Sequence, residues 1–182
     1  MTSSWLKLLS EGDLRSLADS TSLLTQIKDQ QDFDQLFQIM VSGARLPAMR
    51  AADLIEKISR HHSHYLLSHQ DELRAIRNSP MHKELQWHIA LLLPRIPYGK
   101  NEFAAVWSLL KSWAENPLNS RIVRVNALQG LYELWLSNRV MPENLKEIFV
   151  QLEVEKVPSI NARIRSSSEK VGILLSIFLD PS

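Results

Sequence analysis

The sequence contains no cysteine. That excludes disulfides, thiolate nucleophiles and cysteine-type zinc sites, and it suits a reducing compartment. Glycine is scarce, with five among 182 residues, so few positions favour the turns of tight β-hairpins. Neither sign of charge dominates: 21 Lys and Arg stand against 20 Asp and Glu, for a net charge of +1. Attraction of nucleic acid or anionic lipid would therefore need a local patch. Long apolar runs are missing as well. "IALLLP" and "GILLSIFL" fall far short of the roughly 20 residues that span a bilayer. The opening "MTSSWLKLLSEGDL" has no basic segment leading into an uninterrupted apolar stretch, so no secretory signal is expected and a cytoplasmic location follows.

What remains is an ordinary folding composition. Apolar residues make up 45% and charged residues 23%, enough for one domain over 1–182 with a substantial core. Helical periodicity dominates it. Phe103, Val106, Trp107, Leu110 and Trp113 recur in steps of three and four, a stripe expected to lie in the core. Phe33, Leu36, Phe37 and Met40 do the same, as do Val123, Ala127, Leu128, Leu131 and Leu134. No sustained alternation marks a half-buried strand, so the fold class is all-α. Asp32 with Gln35, and Ser68 with Asp71, resemble reciprocal helix caps. Pro47, Pro80, Pro142 and Pro158 suit first turns, where a missing N–H costs nothing.

A period is superimposed on these helices. Met49-Arg50 is followed at intervals of 36, 38 and 37 residues by Leu85-Gln86, Val123-Arg124 and Ile160-Asn161. A second register, Leu36, Leu73, Leu110 and Ile148, runs at 37, 37 and 38. The physical reading is a row of helical hairpins that cannot bury both faces alone and stack to do so. First helices are expected near 32–42, 68–77, 101–115 and 142–153, and second helices near 47–61, 80–96, 119–138 and 157–179. Residues 1–30, with Trp5, Leu9, Leu14 and Leu17 among their apolar positions, would cap the first hairpin. The small residues Ala51, Ala52, Ala90, Ala127 and Ala162 would let neighbouring helices approach.

The stretches "AMRAADLIEKISR", "LQWHIALLLPRI" and "RIVRVNALQGLYEL" are similar to the apolar–Arg–x–x–Ala opening of second helices in HEAT-like repeat proteins. The chain resembles small stand-alone members of that armadillo-type group. The resemblance implies a right-handed α-α superhelix of about four hairpins, at 31–62, 65–97, 100–138 and 141–179. It also implies an extended concave surface built from second helices.

No phosphate loop, nucleophile elbow or paired-carboxylate signature appears, so no enzyme activity and no cofactor are expected. The run "RHHSHYLLSH" offers His61, His62, His64 and His69, yet without the convergent spacing of an ordered metal site. It reads as a solvated junction. The leading expectation is a non-enzymatic module whose concave surface takes a protein or peptide, through Arg50, Asp53, Gln86, Trp87, His88, Arg124 and Asn161. Arg50 and Arg124 would either point from that surface or cap neighbouring carbonyls. His88, inside "LQWHIA", also reads as a packed histidine. The alternative is nucleic-acid binding, since alkylpurine DNA glycosylases share the HEAT-like architecture; by resemblance, Asp53, Trp87, Arg124 and Trp135 would then serve it. Bare solenoid ends, including "GILLSIFLDPS", would invite homo-oligomers.

Overall fold

The computed structural model describes the backbone over residues 4–10, 23–77, 79, 81–138 and 142–179; side chains are described for these residues apart from 4, 138, 142–143 and 171–179. All regular structure among the described residues is helical. The chain divides into two compact units, Met1–Ile96 and Pro97–Ser182. The division falls at the end of the second expected hairpin.

The first unit contains α1 (Ser4–Ser10), α2 (Gln30–Ser42), α3 (Arg45–Ser59), a 3-10 segment (Ser63–His69), α4 (Gln70–Ile76), α5 (Lys83–Leu92) and a closing 3-10 turn (Leu93–Arg95). Helix α3 is its centre, touching α1, α2, the longer 3-10 segment and α5. That position explains its composition. Every residue from Pro47 to Glu56 is buried, and the adjacent Ala51 and Ala52 keep the helix thin enough for neighbours on several sides. Phe33, Leu36, Phe37 and Met40 from α2 complete this core with Leu54 and Ile55.

The α2–α3 hairpin closes on Gly43, whose N–H donates to Ile39 O at 2.8 Å. A Cβ there would run into the same carbonyl, so this turn requires glycine for space. The α2 N-cap is Asp29, which accepts from Asp32 N at 3.0 Å. Asp32 lies inside the helix and accepts from Lys28 N at 3.0 Å and from the Trp5 indole at 3.3 Å. The expected Asp32–Gln35 pairing is thus displaced by one turn. Ser68 and Asp71 form no cap either, because a 3-10 segment precedes α4. Ser68 instead accepts from Gln30 and donates to Tyr65 O.

Side-chain links across successive hairpins keep a narrow range of sequence separations. Between first helices, Gln30 reaches Tyr65 O, Asp34 reaches His69 and Gln38 reaches Glu72, at separations of 35, 35 and 34 residues. Between second helices, Arg45 pairs with Glu84 and Glu56 with Arg95, both at 39. Partner numbers rise together in each set, so the paired helices run parallel.

The second unit contains α6 (Lys100–Glu115), α7 (Arg121–Asn138), α8 (Pro142–Glu153) and α9 (Pro158–Leu179). Helix α7 packs on α6 and on α9. Arg163 donates to Gln129 at 2.6 Å, a separation of 34. All four residues of the second register, Leu36, Leu73, Leu110 and Ile148, are buried. So are Ala51, Ala52, Ala90 and Ala127, whereas Ala162 is exposed. The aromatic stripe of α6 departs from expectation. Phe103, Trp107 and Trp113 are half-buried, and only Val106, Leu110 and Ala114 of that helix are fully buried. The buried tryptophans are Trp5 and Trp135.

The expected cap residues Leu14 and Leu17, the opening proline Pro80 and the side chains of "GILLSIFLDPS" lie outside the described residues.

Candidate functional site

Two connections of the first unit differ in length. Gly43 and Ala44 alone join α2 to α3, while 77–82 connect α4 to α5. A cleft of about 470 Å³ opens among residues near these two connections. One wall is Met40 and Val41 from the end of α2 with Ala48 and Met49 from the start of α3; facing it are Ala75 and Ile76 of α4, Met81, and Leu85 of α5. Three of the five methionines thus meet in one place. Methionine's flexible, polarisable side chain adapts to partners of different shape.

The polar lining comprises Arg45, Glu72, Ser79, His82 and Glu84. Arg45, on the rim, donates to Glu84 Oε1 at 2.8 Å. Burial pushes the Glu84 carboxyl up, but its own backbone N–H, Arg45 and Lys83 outweigh this and hold it below the usual range. Glu72 accepts from Gln38 at 3.1 Å and faces His69 Nδ1 at 2.8 Å. His69 is the one buried member of the histidine run. Its Nε2 lies 2.7 Å from Asp34 Oδ1, and its ring stacks on Phe37 with centroids 3.9 Å apart. For Asp34, burial raises the pKa, but hydrogen bonds from Gln30 and His69 lower it further, for a net decrease. This clamp ties α2 to α4 directly behind the cleft. His61, His62 and His64 are exposed, with the latter two rings gathered on Tyr65. Among the described residues no group of three or more metal-ligating side chains converges.

The seven residues expected on a concave surface occupy varied environments. The Arg50 guanidinium is buried and donates to Leu9 O, near the end of α1, at 3.0 Å. Arg124, also buried, donates through Nε to Ala114 O and through Nη2 to Glu155, both at 2.7 Å. At both sites arginine takes the carbonyl-capping role, supplying donors that a helix C-terminus lacks. Asp53 accepts from Lys57 at 2.7 Å. Gln86, Trp87 and Asn161 are half-buried. His88 is 1% exposed, its ring lies against Trp87 with centroids 3.4 Å apart, and neither ring nitrogen has a hydrogen-bond partner. The structure assembles the adjacent Gln86, Trp87 and His88 on α5, and none of the seven lines the cleft. The cleft's residues were missed because they are distant in sequence; the weak signal was that Met40, Met49 and Met81 all sit at predicted helix ends.

No family model, no curated protein and no solved structure matches this chain. Its own geometry therefore carries the functional argument.

The role of Arg124 has a measurable consequence. Arg124→Met removes a charged donor from Ala114 O and Glu155, and is expected to cost about 2–3 kcal/mol in chemical denaturation. Arg121→Met, at an exposed position one turn earlier, should stay within about 0.5 kcal/mol of the parent. Equal stability of the two variants would show that the carbonyl-capping bonds contribute nothing.

Proposed function

We propose that this chain is a non-enzymatic interaction module that receives an apolar segment of a protein or peptide partner in the Met-lined cleft. The observation that carries the reading is the composition of that cleft: adaptable apolar walls, open to solvent, with a few fixed charges at the edge. Sites that bind peptides through inserted side chains share this design. The reading places the docking surface at the edge formed by the hairpin turns. The second helices are less suited, because Arg50, Asp53 and Arg124 already make bonds within the fold. The nucleic-acid alternative loses support for the same reason. A buried arginine bonded to a carbonyl is poorly placed to release counterions from phosphate.

We further read each unit as a pair of stacked hairpins of HEAT-like type, a segment of right-handed α-α superhelix. The parallel registers and recurrent separations support that reading. In it, stacking makes the cleft by setting one hairpin turn over the next.

Selection of phage-displayed peptides tests the function. The wild-type chain is expected to enrich sequences with large apolar residues at helical spacing. Ala75→Trp, at an exposed position of the lining, fills the cleft and should enrich none, with circular dichroism unchanged. Equal enrichment by wild type and Ala75→Trp would remove the cleft as the docking site.

A further inference from the structure

The charged lining specifies more than a generic apolar guest. Glu84 accepts from Arg45 through Oε1, and its carboxylate is also held by its own backbone N–H and by nearby Lys83. An ionised carboxylate can only accept hydrogen bonds. Glu72 Oε1 accepts from Gln38, its Oε2 lies 2.8 Å from His69 Nδ1, and its side chain is still 43% exposed. Each of those oxygens has capacity for a second donor. Of the charged side chains lining the cleft, two are carboxylates and one is a guanidinium, and that guanidinium is half-exposed at the rim, where it can turn outward. The lining thus offers a cationic donor two carboxylates against one guanidinium, beside an apolar pocket.

Resting on the cleft reading above, we propose that the occupant is a basic amphipathic segment. Its large apolar side chain enters between Met40, Met49 and Met81, and a neighbouring lysine or arginine is held by Glu84 and Glu72. On a helical ligand, residues three or four positions apart share a face, so an apolar anchor and a basic residue at that spacing reach both parts of the site. An acidic segment would meet the same carboxylates unfavourably.

Three synthetic helices of about four turns, built from leucine with lysine, glutamine or glutamate on one scaffold, provide the test. Binding to the full chain is read by fluorescence anisotropy. The lysine peptide is expected to bind about tenfold more tightly than the glutamine peptide, and the glutamate peptide not at all. Adding salt should narrow the first difference, since the charges lie near solvent. Glu72→Gln with Glu84→Gln should abolish the lysine preference while preserving affinity for the glutamine peptide. Ala75→Trp should abolish binding of both. If lysine and glutamine peptides bind wild type equally, the basic ligand class is wrong and the cleft reading survives. If Ala75→Trp leaves binding intact, or no peptide binds wild type, both fall.

Discussion

Glu56→Ala is expected to destabilise the chain by about 3–5 kcal/mol, the cost of breaking a buried ion pair from one side. Glu56 is 3% exposed on the central helix α3. Its Oε1 accepts from Arg95 Nη2 at 2.6 Å, and Oε2 from Arg60 Nη2 at 2.7 Å. Arg95 also donates to Glu56 O and Ser59 Oγ, each at 2.6 Å. Removing the carboxylate takes a charged acceptor at 2.6 Å from the Arg95 side chain, itself only 11% exposed. Arg60 suffers little, because it is exposed. Glu56→Met with Arg95→Met removes both buried charges and should recover most of the loss, since a well-packed apolar pair often equals a buried ion pair. Urea unfolding of parent, single and double variants checks this. A double variant as unstable as Glu56→Ala would mean that packing volume, and not charge pairing, sets the cost.

This cluster also predicts acid sensitivity. Burial pushes the Glu56 carboxyl up, but Arg60 and Arg95 outweigh it and hold it below its ordinary value of 4.5. A depressed carboxyl contributes stability that is present above the unfolded value and is lost as pH falls through the folded one.

The second large effect sits on α5. Burial drives the His88 pKa from 6.5 to about 3, with Glu56 opposing the shift and Lys57 adding to it. Between those values the unfolded chain binds a proton that the folded chain refuses. Stability therefore falls as pH drops from 6.5 towards 3. His88→Leu removes the refused proton. Relative to this variant, the parent should lose about 2–3 kcal/mol between pH 6.5 and 4.5. Near neutrality His88→Leu should match or exceed the parent, because the imidazole is buried with neither nitrogen hydrogen-bonded and such a group is costly. Urea unfolding at pH 7, 5.5 and 4.5 measures the difference. Parallel loss of stability in the two proteins would show that His88 takes its proton in the folded state.

Much of this architecture could be read from residue spacing. The steps of three and four that place Leu36, Leu73, Leu110 and Ile148 on helices also placed them in the core. Helix starts were predicted within a few residues where proline marks them, as at Pro142 and Pro158. The stripe in "NEFAAVWSLLKSWAEN" shows the limit of such reasoning. Periodicity assigned Phe103, Trp107 and Trp113 to one face, but the depth of that face depends on what packs against it, and all three stay half-buried.

The site shows the limit more sharply. Recurrence selected Arg50 and Arg124, yet a spacing carries no information about which way a guanidinium turns. Packing turned both towards carbonyl oxygens. His69 is similarly one of four histidines in a short run, and only its position between Asp34 and Glu72 separates it from its exposed neighbours. Met40, Met49 and Met81 come from three separate parts of the chain, and only the fold brings them to one cleft.

The sequence by itself determined that the chain is helical, roughly where most helices begin and end, and that the second register, Leu36, Leu73, Leu110 and Ile148, is buried. These properties depend on local backbone preference and on the 3.6-residue period, both of which act between near neighbours. Tertiary structure alone decided which polar groups are spent inside the fold and where the surface opens. Both depend on contacts between residues well separated in the chain, such as Arg50 with Leu9 and Arg45 with Glu84, 41 and 39 positions apart, and no local preference encodes those contacts.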